Sequence, residues 1–167
     1  MRLALAALLV VLLLGFALAA SAAFDTPART ASVERVIDAP RDRVWAVLID
    51  FSAYEDWNPY VTSASGDARE GAELHLRLEP PGGEIDEVTV KVLTARFERK
   101  LRWEDRLFVP GLRDQEVTFR VVKLSPSRVR LLEDLRVEGL FSPLTDLAQS
   151  TRGLELMAAA LERRAEA

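Results

Sequence analysis

The sequence predicts an α+β fold, with about seven antiparallel strands in one sheet wrapped around a single long C-terminal helix. Three observations predict it. After Tyr60 the apolar residues recur at every second position in short runs broken by Gly, Pro and Ser, the in/out alternation of antiparallel strands with one buried face. Near the C-terminus the spacing changes, and Leu144, Leu147, Thr151, Leu154, Ala158 and Leu161 form one stripe at helical period. A sheet with one apolar face must be covered, and the C-terminal stripe belongs to the only element long enough to cover it.

Taken in order, the chain opens on "MRLALAALLVVLLLGFALAASAA". It has a single charge, Arg2, an unbroken apolar run from Leu3 to Ala20, and an Ala20-Ser21-Ala22 exit. This is the pattern of a secretory signal peptide. The run exceeds the ~7–15 residues of a typical signal core and approaches the ~17–25 that span a bilayer, so an uncleaved membrane anchor is the alternative. Residues 1–23 are thus expected to be a signal peptide or anchor, 24–31 a polar linker, and 32–165 one domain. Either reading exports the domain, to the periplasm or beyond if the leader is cleaved, or to the outer face of the inner membrane if it is not. The chain has no cysteine, so it carries neither a disulfide framework nor a lipidation site.

Ser32–Asp38 alternates and reads as the first strand. Pro40 suits a first helical turn, and "RDRVWAVLID" places Val44, Trp45, Leu48 and Ile49 on one helical face. Phe51, Tyr54 and Trp57 then recur every third residue, which stacks them on one side of a short helix. Asn58 precedes Pro59, and a residue before proline leaves the helical region, so the helix ends there. Six further strands follow in "YVTSA", "AELHLRLE", "EVTVKVLTARF", "KLRWEDRLF", "QEVTFRVVKL" and "SRVRLLEDLRVEG", with "PPGGEID" as a turn. Ser142 and Pro143 supply a cap and a first turn for the final helix.

The stretch "VIDAPRDRVWAVLIDFSAYEDWNPYV" resembles the opening of the START-like, or SRPBCC, superfamily, the helix-grip fold of polyketide cyclases, Bet v 1-type allergens and lipid-transfer domains. "GLFSPLTDLAQSTRGLELMAAALERRAE" is similar to its final helix, so the resemblance spans about Ser32 to Ala165. It implies a cavity between a seven-stranded sheet and the last helix. Members bind lipids, sterols, polyketides or plant hormones, and a minority catalyse. This chain departs from bacterial relatives in carrying Val117-Thr118-Phe119 where they often have His-x-Phe, and Glu133 and Glu138 near Gly139 where they often have a glutamate just before the glycine.

The single histidine, His75, lies between Leu74 and Leu76, so period two turns it outward. Polar residues in phase with apolar ones are better candidates for chemistry. Asp105 continues the inward set Leu101 and Trp103, Gln115 precedes Val117 and Phe119, and Glu133 sits between Leu131 and Leu135. A carboxyl forced towards a core is costly unless paired, so such a group can hold a ligand's polar head or serve as a base. The competing reading is a bulge near Asp105, or an arginine partner such as Arg96 or Arg106.

The expected function is non-catalytic binding or transport of a small hydrophobic, lipid-like or polyketide-like ligand. Trp103, Phe119, Leu131 and Leu154 would form its walls, Tyr54 and Trp57 its entrance, and Gln115 would hydrogen-bond the ligand's polar head. One alternative is a cyclase- or dehydratase-like enzyme using Asp105 or Glu133. Another is a structural domain with a filled core. The formal net charge of -4 argues against a nucleic-acid partner. Phosphate-loop, dinucleotide and zinc-protease signatures are absent, so no cofactor or metal is implied. A membrane is a partner only through an uncleaved leader.

Overall fold

A computed structural model describes residues 27–106 and 111–167. The leader, residues 24–26 of the linker, and Leu107 and Phe108 lie outside the described residues.

The seven strands are β1 (Arg29–Ile37), β2 (Val61–Gly66), β3 (Glu73–Leu78), β4 (Asp86–Arg96), β5 (Lys100–Arg106), β6 (Asp114–Ser125) and β7 (Arg128–Glu138). They form one sheet in the order β1-β7-β6-β5-β4-β3-β2, with antiparallel pairing throughout. β1 and β2 are therefore the two edges. Between them run α1 (Arg41–Ile49), a 3₁₀ turn (Phe51–Ala53) and α2 (Tyr54–Trp57). The last element is α3 (Leu147–Glu166). The chain has the expected fold class, a seven-stranded sheet gripping a C-terminal helix.

β1 begins at Arg29 rather than Ser32, because Arg29, Thr30 and Ala31 continue the ladder opposite Val137, Arg136 and Leu135. α1 buries Val44, Trp45 and Leu48, the apolar face that its spacing indicates. α2 stops at Trp57, and Asn58 explains both the stop and the next strand. Its backbone is extended, and its side-chain Oδ1 accepts the N–H groups of Tyr60 and Val61, each at 3.0 Å. An Asx side chain that bonds its own backbone just ahead is a standard turn device.

The last helix starts later than its stripe suggests. Ser142–Leu144 is a separate 3₁₀ turn, and Leu144 is 82% exposed. The cap is Asp146, whose carboxylate accepts the N–H of Gln149 at 3.0 Å. A carboxylate at this position satisfies an orphan donor and favours the helix dipole. From there α3 buries Leu154, Met157, Ala158, Leu161 and Ala165. Fully burying a residue such as Met157 or Leu161 contributes about 1.5–3 kcal/mol. Gly153 permits the closest approach, since a Cβ there would lie 2.6 Å from the Tyr60 ring.

Candidate functional site

At one end of the sheet the core does not close. A cavity lies between β2–β7 and α3, lined by Leu76, Val88, Val90, Trp103, Val117, Phe119, Leu135, Leu154 and Met157, with Tyr60, Val61 and Leu78 nearer its opening. Its volume for the centres of water-sized molecules is about 70 Å³. That is room for several waters and less than the ~300–1,000 Å³ of a pocket for a drug-sized ligand. Trp103 and Phe119, on adjacent strands, pack at 4.9 Å between ring centroids and form its aromatic wall.

The polar groups collect at the mouth. Asp86, Asp105, Arg113, Gln115 and Ser150 line the cavity. Asp86, Arg113, Gln115, Ser150, Tyr60 and Leu78 also border a wider hollow outside it, with Ile85, Leu144 and Gln149. Asp105 faces inward and pairs in continuous register with Gln115 on β6, while the irregularity on its other side lies in β4, between Val92 and Thr94. Its carboxylate accepts a hydrogen bond from Arg113 Nη2 at 2.6 Å. This partner is neither Arg96 nor Arg106; Arg106 is held by Glu104 and Asp114 instead. Burial raises the Asp105 pKa, and Arg113 only partly offsets that. The Tyr60 phenol is pushed up to about 12, by burial first and by Asp86 second.

Trp103, Gln115, Phe119 and Leu154 line the cavity. Tyr54, Trp57 and Leu131 do not. Tyr54 is fully buried, donates its hydroxyl to the Leu48 carbonyl at 2.7 Å, and stacks edge-on with Phe51 and Trp57 at 5.5 and 4.9 Å. Those rings close the core beneath α1 rather than the cavity entrance. Trp57 is half-buried beside a shallow surface hollow with Ala46 and Val47, and Leu131 is core.

Glu133 faces inward and is 0% exposed, but it lies outside the cavity. It sits opposite Val33 on β1 and Phe119 on β6. Neither carboxylate oxygen has a hydrogen-bond partner among the described residues. Burial holds its pKa well above the ordinary carboxylate range, against the weaker pull of Arg35. A cavity role for Glu133 is thereby corrected: mid-strand register aims it at the packed core. His75 is exposed, with Nδ1 3.0 Å from Thr89 Oγ1.

Tyr60, Asp86, Arg113, Ser150 and Met157 are the mouth and wall residues that sequence patterning missed. Met157 was within reach of it, being three residues past Leu154 on the same helical face. Asp86 and Arg113 stand at strand entries, where period two gives no direction.

The sequence profile described as "Polyketide cyclase / dehydrase and lipid transport" matches residues 28–167. No curated protein matches the sequence. Among solved structures, a START superfamily protein from Mycobacterium smegmatis is 25% identical, with a TM-score of 0.66 over 82% of this chain and 97% of that one. Norcoclaurine synthase from Thalictrum flavum, in complex with dopamine and hydroxybenzaldehyde, is 16% identical, with a TM-score of 0.65 over 84% and 87%. A protein of Thermus thermophilus is 20% identical, with a TM-score of 0.64 over 82% and 97%.

Proposed function

The chain belongs to the polyketide cyclase/dehydrase and lipid-transport family of START-like folds, and from that premise we propose that it binds a small hydrophobic ligand without transforming it. The observation that carries this reading is the division of the cavity, with apolar walls inside and polar groups only at the mouth. Burial against Trp103, Phe119, Leu154 and Met157 would supply the affinity. Asp105, Arg113 and Gln115 would orient one polar end, as a few placed polar groups do in apolar pockets. At about 70 Å³, the cavity must widen for a lipid-sized guest. The leader pattern supports a place for this domain outside the cytoplasm.

A thermal-shift panel of fatty acids, phospholipids and isoprenoids tests the reading. A ligand present at 100 times its Kd stabilises by about 2.7 kcal/mol. We expect a saturable rise in Tm with at least one class, lost in Val117→Phe, which fills the cavity. No shift with any class would overturn the reading.

A second reading, a cyclase-like enzyme, is favoured by one feature, the position of Asp105 at the cavity mouth with its pKa raised. A general base needs that kind of tuning. Turnover that disappears in Asp105→Asn while binding persists would select this reading over the first.

A further inference from the structure

We propose that the rim of the cavity mouth is a docking surface for a phospholipid bilayer, against which the N-terminal segment holds it. This deepens the ligand-binding reading, on which it rests for the cargo, and it requires the apolar leader to be retained as an anchor.

The strand register places one end of the sheet at the mouth. Leu78 pairs with Asp86, Arg106 with Asp114, Asp114 with Glu138, and Arg29 with Val137. The start of β1 is therefore at the mouth, and its side chain fastens it there. The Arg29 guanidinium donates to the carbonyls of Ser142 at 2.7 Å and Thr145 at 3.0 Å. Those two residues flank Leu144, which is 82% exposed.

Leu144 has apolar company from other segments. Ile85, 54% exposed, borders the same outer hollow. Leu140 and Phe141 are 47% and 39% exposed and stand four and three residues before Leu144. Their backbone is fixed, since Leu140 N–H and Phe141 N–H donate to the carbonyls of Gly111 and Leu112. The preceding Gly139, at φ 102°, comes so close to that loop that a Cβ would lie 2.7 Å from the Gly111 carbonyl oxygen. Exposed large apolar side chains gathered at one rim mark an interaction surface.

The chain outside the structure indicates what covers this rim. The apolar run ends at Ala20 and the clamp is at Arg29. Nine intervening steps reach at most about 32 Å. A bilayer holding Leu3–Ala20 must then lie on the mouth side of the domain, while the opposite end is an eleven-residue strand away. Tethering turns docking into an intramolecular event, so weak apolar contacts suffice. Exposed Glu84, Asp86 and Asp146 border the same hollow. Docking is accordingly apolar, and anionic lipid adds nothing to it.

The sequence has no cysteine, so single labelling sites are clean. Full-length Leu144→Cys and Phe97→Cys, each carrying a nitrobenzoxadiazole label, are reconstituted into phosphatidylcholine vesicles containing a doxyl-lipid quencher. Phe97 is 73% exposed at the far end of β4. The expected result is at least threefold stronger quenching at position 144 than at 97. The difference should vanish on adding Ile85→Glu and Phe141→Glu and should be unchanged when phosphatidylglycerol is included. Equal quenching at both positions, quenching at neither, or recovery of only leaderless chain from the cell envelope overturns the proposal. Quenching needs no cargo, so it is read independently of the Tm panel that tests ligand binding.

Discussion

Replacing Glu133 by leucine is expected to stabilise the domain, although it removes a polar residue from the middle of a strand. Glu133 is 0% exposed and both carboxylate oxygens lack partners among the described residues. The groups facing it are Tyr54, whose hydroxyl is given to Leu48, and Arg35 on β1, whose Nη1 is given to Glu162 at 2.7 Å. A buried polar group without partners costs about 1–3 kcal/mol, and leucine of similar volume recovers that amount at neutral pH. With a urea m-value of about 1–3 kcal/mol/M, the midpoint should rise by roughly 1 M. The pH dependence carries a second signature. Folding raises the carboxyl's pKa, so the native state keeps a proton that the unfolded chain releases. Stability is full below the unfolded value of about 4.3 and falls as pH rises from there towards the folded value, by at most about 1.4 kcal/mol per pH unit. Glu133→Gln, which cannot titrate, should lose that slope. Urea unfolding at several pH values between 4 and 9 reads both effects. Destabilisation of Glu133→Leu by more than 2 kcal/mol, or an unchanged slope in Glu133→Gln, would show that the carboxylate is charged and paired, and would refute the reasoning.

Three further outcomes follow from the packing. Asn58→Ala removes the acceptor for two buried N–H groups and should cost about 1–3 kcal/mol, read as a lowered urea midpoint. Gly153→Ala should lower Tm despite the better helix propensity of alanine, worth about 1 kcal/mol, because its Cβ would meet the Tyr60 ring at 2.6 Å; a raised Tm would mean that Tyr60 swings away freely. Asp146→Ala removes the cap on Gln149 N–H and should cost about 1 kcal/mol, checked by thermal unfolding.

Much of this architecture was legible because period two and period 3.6 leave different marks. Val117, Phe119, Leu131, Leu135 and Val137 alternate and are all buried, and the same rule turned His75 outward. Ends of elements were harder to read. Ser142-Pro143 suits a 3₁₀ turn as well as an α-helix start, and the true cap, Asp146, looks like any loop aspartate. The site was half legible. Inward walls such as Trp103 and Phe119 follow from alternation. Arg113, which neutralises Asp105 across eight residues of chain, is set by how β5 and β6 pair, and that is a tertiary fact. The every-third spacing of Phe51, Tyr54 and Trp57 does stack rings, but whether they face the cavity or the packed core depends on where α1 lies. For the same reason Glu133 could be read as inward, while its separation from the cavity could not.

The central claim is that the space between sheet and helix holds a small hydrophobic molecule. Native mass spectrometry of the protein purified from its own cell envelope tests it most directly. The account predicts an apolar adduct on the wild-type chain that dissociates under activation and is missing from folded Val117→Phe. Repeated preparations in which both proteins fly at the same bare mass would contradict it.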